Sequence, residues 1–100
     1  MKIKRMKVIH SPRRSGKSTQ AIKASSETGA TIVTRTVIMA DLLNKQASEL
    51  GYSIPRPISI YQYHNMKVKP DNIIIDELES VLRCLIPSKI ELVTITKEVD

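Results

Sequence analysis

The chain has 100 residues, of which 41% are hydrophobic and 26% charged, a balance that is typical of one small globular domain spanning residues 1–100. No apolar run approaches the roughly 18 residues that a membrane span needs, so we expect no contact with a membrane. The single cysteine, Cys84, excludes an internal disulfide, so we expect a cytoplasmic protein. The net charge of +6 favours partners that carry phosphate, such as nucleotides, DNA or RNA, although the same charge can simply keep a protein soluble.

The first half of the chain alternates between strand and helix patterns. Residues 6–10 form a short apolar run that predicts a strand, and residues 17–26 suit a helix that ends at residues 28–29. Residues 31–34 are β-branched at all four positions and predict a second strand. Because the chain has neither Trp nor Phe, we expect aliphatic side chains to fill the core between these elements.

The middle of the chain predicts a capped helix and then an extended connection. Thr36 is a suitable N-cap, and Gly51 is well placed to end the helix. Between them, apolar residues recur at helical spacing: Ile38, Leu42, Leu43, Ala47 and Leu50. Two prolines keep residues 54–57 out of a helix, and after them we expect a strand over 58–61 and a helical turn over 63–66.

The last third predicts a strand, a helix and a strand. Residues 72–76 contain three consecutive isoleucines, which indicates a strand covered on both faces. A helix over 78–85 is expected to stop at Pro87, and residues 90–96 form the last predicted strand. Strands that alternate with helices predict βαβ units and a mostly parallel sheet, in which ligands bind beyond the carboxyl ends of the strands.

Residues 11–18, with the sequence SPRRSGKS, resemble the Walker A motif G-x-x-x-x-G-K-[ST], with Ser11 in place of the first glycine. The motif lies between a predicted strand and a predicted helix, where backbone N–H groups can converge on phosphate. We expect Lys17 to lie between the β- and γ-phosphates, Ser18 to bind Mg²⁺ and Thr19 to contact the α-phosphate. The predicted nucleotide-binding residues are Ser11, Pro12, Arg13, Arg14, Ser15, Gly16, Lys17, Ser18 and Thr19. A helix start with a capping serine and a solvated lysine is the alternative.

An acidic pair follows the isoleucine strand and resembles a Walker B motif with an adjacent glutamate. Asp76 would hold Mg²⁺, together with Ser18. Glu77 would accept a proton from the attacking water as a general base. The same pair could instead be negative charge placed at a helix N-terminus, where the helix dipole favours it.

Together these motifs resemble those of P-loop NTPases of the additional-strand, catalytic-glutamate type. The loop from Pro12 to Thr19 is similar to those of viral helicases and terminase-type packaging ATPases, and the pair Thr34-Arg35 matches a Thr-Arg pair in those families. The resemblance implies a minimal P-loop NTPase fold, a three-layer α/β/α structure with a mostly parallel sheet of about four to five strands. It also implies a polar residue that senses the γ-phosphate, for which Thr96 is the first candidate and Thr94 the second.

The function implied is Mg²⁺-dependent ATP binding and hydrolysis in phage or mobile-element nucleic-acid processing, in the host cytoplasm. ATP rather than GTP is favoured by the resemblance alone. Motor ATPases usually have a further lobe, so we expect slow turnover unless a larger protein machine, a nucleic acid or a second copy takes part. Arg35, Arg56 and Arg83 are possible arginine fingers, although surface roles are expected for each.

Two other functions remain open at this point. The chain could be a nucleotide-binding regulatory or inhibitory module with little turnover, or a basic nucleic-acid-binding domain with a vestigial P-loop. Tyr61 and Tyr63 could stack on a base, although packing at the edge of the core is the expected use of these rings. Cys84 is expected to be buried and inert.

Overall fold

A computed structural model describes residues 16–94 of the chain. These residues form helices α1 (Lys17–Thr28), α2 (Val37–Glu49), α3 (Ile60–Asn65) and α4 (Leu78–Leu85), and strands β1 (Thr31–Thr34), β2 (Ile58–Ser59) and β3 (Ile73–Ile75). The predicted strand over 6–10, the loop residues Ser11, Pro12, Arg13, Arg14 and Ser15, and the predicted sensor Thr96 lie outside the described residues. No helix of the described part is both long and apolar enough to cross a bilayer.

The three strands form a parallel sheet in the order β2-β1-β3, with β1 in the centre. Val33 of β1 is in register with Ile58 of β2 and with Ile75 of β3. The prediction of a parallel α/β sheet is therefore confirmed for these strands. Because the strands are parallel, their carboxyl ends meet at one edge of the sheet, and this edge carries the polar residues that follow β1 and β3.

Two neighbouring residues of β1 show how the helices cover the sheet. Ile32 and Val33 are both fully buried, and successive strand residues point to opposite faces. Ile32 packs in a cluster with residues of α1 and α2, whereas Val33 packs with residues of α3 and α4. The described helices therefore lie on both faces of the sheet, in three layers.

Local signals set the helix ends where the sequence predicts them. Thr36 caps α2, since its Oγ1 accepts a hydrogen bond of 3.1 Å from the Met39 backbone N–H. Gly29 ends α1 in the left-handed conformation at φ 76°, where its N–H donates to the Ser25 carbonyl over 2.8 Å. Helix α4 has the predicted bounds.

The buried face of α2 differs from the apolar row that predicted the helix. Ala40, Leu43 and Ala47 are buried, while Ile38 and Leu42 are 74% and 60% exposed. At about 100° per residue, Ile38 and Leu42 lie on the opposite side of the helix from Ala40. Small alanine side chains allow α2 to pack closely on the sheet, so the larger residues were a poor guide to the buried face.

The predicted strand over 58–61 is too long, because α3 begins earlier than expected. Ser59 and Gln62 form a capping box, in which the Ser59 Oγ accepts a hydrogen bond from the Gln62 N–H over 3.1 Å. The Ser59 N–H in turn donates to the Gln62 Oε1 over 2.8 Å. The cap turns the chain into a helix at Ile60 and leaves β2 with two residues.

The C-terminal predictions need two corrections. Ile74 packs into the cluster of α1 and α2, but Ile73 and Ile75 are 38% and 42% exposed, so β3 is not covered on both faces. The cluster of α3 and α4 forms over β1 and does not include these two side chains. Residues 90–94 form no strand, and Leu92 is 80% exposed. β-Branched residues favour a strand only when a neighbouring strand and a packed face are present.

Candidate nucleotide site

The side chains of Lys17 and Glu77 meet at the carboxyl edge of the sheet. Lys17 is the first residue of α1, and Glu77 lies far along the chain, between β3 and α4. The Lys17 Nζ is 3.0 Å from the Glu77 Oε1, with side-chain exposures of 28% and 43%. The structure thus brings together the predicted phosphate-binding lysine and the predicted general base.

Asp76 lies beside this ion pair and is 9% exposed. Its backbone N–H donates to the Val33 carbonyl over 3.0 Å, which continues the pairing of β3 with β1 by one residue. Burial raises the pKa of the Asp76 carboxyl above its ordinary value, the negative charge of Glu77 raises it further, and the Lys17 ammonium opposes both. The site therefore concentrates negative charge that a bound cation would offset.

Glu77 has a strained backbone, with φ 60° and ψ 70°. It is the only residue other than glycine with positive φ in the described part of the chain, and such conformations cost on the order of 1–3 kcal/mol. Glu77 also holds the N-cap position of α4, but its side chain makes no capping hydrogen bond and pairs with Lys17 instead. The alternative in which this glutamate serves only to start the helix leaves that ion pair without an explanation.

Gly16 holds the N-cap position of α1 at φ 83° and ψ 20°. None of the described residues lies within 4 Å of the position that a Cβ would take, whereas the left-handed backbone by itself favours glycine. Since a glycine occupies the cap, no side chain of that residue satisfies the first N–H groups of the helix. The alternative with a serine as the N-cap of α1 is therefore wrong. A helix start of this kind suits an anion.

For the remaining predicted site residues between 16 and 94, the structure gives burial and position. Ser18 is half-buried and Thr19 is exposed, both in the first turn of α1. Thr94 is exposed and lies in no helix or strand. Thr96 and the loop residues before Gly16 lie outside the described residues, so their predicted roles remain predictions.

The two predicted magnesium ligands, Asp76 and Ser18, are both oxygen donors. In the part of the chain that the structure describes, no three His, Cys, Asp or Glu side chains group to hold a metal. Mg²⁺ is commonly bound by one or two protein ligands together with substrate phosphates and water. The Asp76 carboxylate and the Ser18 hydroxyl are oxygen ligands of that kind.

Two of the possible arginine fingers have surface partners, as expected. Arg56 pairs with Asp41 over 3.4 Å, and Arg83 pairs with Glu79. Arg35 is exposed and makes no ion pair with any residue between 16 and 94.

The prediction that Cys84 is buried overstates its burial. The residue is half-buried and packs against the cluster that contains Val33.

A cleft that was not predicted from the sequence lies at the carboxyl ends of β1 and β2. The cleft has a volume of about 490 Å³ and is lined by Arg35, Thr36, Val37, Ser59, Tyr61, Gln62, Asn65 and Met66. Thr34, which precedes Arg35 in the chain, is fully buried, and its Oγ1 has no hydrogen-bond partner among residues 16–94. The sequence offered two separate signals, the Thr34-Arg35 pair and the possible base-stacking ring of Tyr61, but not that they meet, because the two sides of the cleft are far apart in the chain. The expectation that Tyr61 packs at the edge of the core is wrong, since its ring is exposed.

Comparisons of the chain with protein-family models, with curated proteins and with solved structures found no match. Function is therefore inferred from the residues and geometry of this chain.

Proposed function

We propose that the chain binds a nucleoside triphosphate, ATP by family resemblance, together with Mg²⁺, and hydrolyses it. One observation carries the proposal: Lys17 and Glu77 form an ion pair of 3.0 Å beside the buried Asp76, at the edge of the sheet where parallel α/β folds bind ligands. The finer assignment to a P-loop NTPase fold is part of the proposal and rests on the Walker-like spacing of these residues.

Binding uses the start of α1. The first-turn N–H groups receive phosphate oxygens, aided by the positive end of the helix dipole. The Lys17 ammonium exchanges its contact with Glu77 for contacts with the β- and γ-phosphates. Ser11, Pro12, Arg13, Arg14 and Ser15 complete the loop, and Thr19 contacts the α-phosphate.

Asp76 and Ser18 are the residues that would hold Mg²⁺. When bound, the ion neutralises negative charge on the phosphate oxygens. Its charge would favour the ionised form of the Asp76 carboxyl, which burial and Glu77 disfavour.

Hydrolysis uses Glu77 once phosphate has replaced it at Lys17. The freed carboxylate accepts a proton from water as the water oxygen bonds to the terminal phosphorus, and the bond from that phosphorus to the bridging oxygen breaks. Inorganic phosphate and the nucleoside diphosphate leave, and Glu77 returns its proton to solvent. Lys17 stabilises negative charge on the departing oxygens, while Thr96 remains the proposed γ-phosphate sensor.

Binding is tested by titrating ATP and GTP with and without Mg²⁺. Lys17→Ala is expected to abolish saturable binding, because the ammonium is the main charge facing the phosphates. Lys23→Ala is the matched control, since it removes an exposed lysine from the same helix and should leave affinity unchanged. Equal binding by the wild type and Lys17→Ala would contradict the proposal.

Turnover is tested by phosphate release with Glu77→Gln. We expect a fall of about 10²–10⁴-fold with nucleotide binding retained, as for loss of a general base. Glu79→Gln serves as the control, because Glu79 is an exposed acid two positions further on that pairs with Arg83. A similar rate in both variants would remove Glu77 from the mechanism.

The second candidate is a nucleotide-binding regulatory module with little turnover. The Lys17–Glu77 ion pair favours this function, because it engages the carboxylate of Glu77, the proposed general base, when nucleotide is absent. Saturable binding without phosphate release from the wild type would support this function. The link to nucleic-acid processing in a phage or mobile element, alone or within a larger machine, rests on the resemblance and on the net charge of +6.

A further inference from the structure

The cleft at the carboxyl ends of β1 and β2 is separate from the proposed nucleotide site. Its walls are the start of α2 and the helix α3, and it shares no residue with the group Lys17, Asp76 and Glu77. Among the described residues, Arg35 is the only charged one that lines it. A ligand of the cleft therefore meets one positive charge and no carboxylate in the part of the wall that residues 16–94 form.

Three lining side chains are free to bind a ligand. Arg35, Tyr61 and Asn65 are exposed, with Tyr61 at 56%, and none makes a side-chain hydrogen bond or ion pair with the described residues. Ser59 and Gln62, by contrast, are engaged in the capping box that starts α3. The open groups are a guanidinium, an aromatic ring and an amide, which bind phosphate, stack on a base and pair with a base edge, respectively.

Residues near the cleft add positive charge. Lys67 and Lys69 lie in the segment after α3, and both are exposed. Lys69 lies 5.4 Å from the centre of the Tyr63 ring and donates to the Met66 carbonyl over 2.9 Å, which holds this charge near the cleft. Tyr63 itself is partly buried, but lysine charge near the cleft, together with the exposed ring of Tyr61 in its wall, is a combination that attracts a polyanion with stackable bases.

We propose that this cleft binds single-stranded nucleic acid, with a base stacked on Tyr61 and a phosphate held by Arg35. A base reaches the face of this ring only when it is unstacked from its neighbours, as it is in a single strand. A volume of about 490 Å³ suits roughly one or two nucleotides. The inference deepens the proposed link to nucleic acid and rests on it for biological purpose, but binding at the cleft does not require nucleotide hydrolysis.

The inference is tested by measuring the affinity for labelled oligonucleotides by fluorescence anisotropy, at low salt and without nucleotide. The probes are a deoxythymidine oligonucleotide, an RNA of the same length and a duplex of the same length. Tyr61→Ala is expected to weaken single-strand binding roughly fivefold to a hundredfold, and Tyr61→Phe, which keeps the ring, is expected to bind like the wild type. Circular dichroism checks that each variant folds.

A matched pair of charge variants separates the cleft from a general basic surface. Arg35→Gln is expected to weaken binding and flatten its salt dependence, whereas Lys45→Gln, which removes an exposed charge of α2 away from the cleft lining, is expected to do neither. Equal losses in the two variants, full affinity in Tyr61→Ala, a preference for duplex, or no oligonucleotide binding by the wild type would each overturn the inference. Lys17→Ala is expected to keep single-strand binding while losing nucleotide, so this inference and the proposed function can fail separately.

Discussion

At the scale of single residues, the candidate site combines a buried aspartate, a strained glutamate and a lysine. The lysine forms an ion pair with the glutamate, and its charge also acts on the aspartate. Asp76 is buried, Glu77 has positive φ, and Lys17 is 3.0 Å from Glu77. Strain and buried charge both lower stability, so a chain selected for stability alone would not favour them here. Such features are concentrated at functional sites, where they position groups or tune them.

Asp76 gives a prediction for stability as a function of pH. Because its pKa in the folded protein is raised, the folded state holds the proton more tightly than the unfolded state does. The charged carboxylate therefore costs stability above the folded pKa, and this cost disappears as pH falls towards the ordinary value of 3.8. Asp76→Asn, which is neutral throughout, is expected to raise the Tm at pH 7, with the gain shrinking as the pH is lowered.

The measurement is thermal unfolding of both proteins from pH 7 to pH 4, without nucleotide or Mg²⁺. One unit of pKa elevation corresponds to about 1.4 kcal/mol, and about 1 kcal/mol moves the Tm of a domain of this size by roughly 4–8 °C. The exposed Asp71→Asn is the control and should change the Tm little. A Tm gain for Asp76→Asn that grows as the pH falls would contradict the prediction.

At the scale of elements, short-range hydrogen bonds place the helices that carry the site and the cleft. The capping box of Ser59 and Gln62 starts α3 directly after β2, which places Tyr61 in the cleft wall. Thr36 starts α2 directly after β1, beside Arg35. Both caps lie at the carboxyl edge of the sheet, so helix initiation and ligand geometry depend on the same residues.

The Thr36 cap gives a prediction at this scale. Thr36→Ala removes the acceptor of the Met39 N–H and is expected to lower the free energy of unfolding by about 1 kcal/mol. Ser48→Ala replaces an exposed serine near the other end of α2 and should change stability by less than about 0.5 kcal/mol. Urea unfolding measures both, and an equal effect of the two changes would show that the cap adds nothing.

At the scale of the whole molecule, a bound nucleotide would hold together segments that are distant in the chain. The proposed ligand contacts the start of α1 and the residues after β3, and it replaces an ion pair that already joins them. A ligand that binds only the folded state stabilises it by mass action, by about 2.7 kcal/mol at one hundred times its Kd. Nucleotide with Mg²⁺ is therefore expected to raise the Tm by more than about 10 °C.

Thermal unfolding in the presence of nucleotide checks this expectation. Mg²⁺ alone and nucleotide with EDTA are the controls, and both should raise the Tm less than the two together. In Lys17→Ala the rise should be lost. An unchanged Tm at millimolar nucleotide in the wild type would leave the Lys17–Glu77 pair as a structural contact only.

Most local features of this protein can be predicted from its amino-acid sequence. Interactions between residues near in the chain set the helix bounds at Gly29 and Thr36 and favour the central strand. The order of the Walker-like segments can be read directly from the sequence. A cap, a left-handed glycine or a β-branched run acts through its immediate neighbours, so its consequence can be read without the fold.

Which side chains meet and which remain exposed depends on how the helices and strands pack together. Ile73 and Ile75 are partly exposed because the helices that cover β1 do not extend over them, and Ala40 is buried in place of Ile38 because α2 packs closely on the sheet. The contact of Lys17 with Glu77, and the cleft beneath Tyr61, each join segments that are far apart in the chain. Such contacts depend on strand order and helix packing, which no local pattern contains.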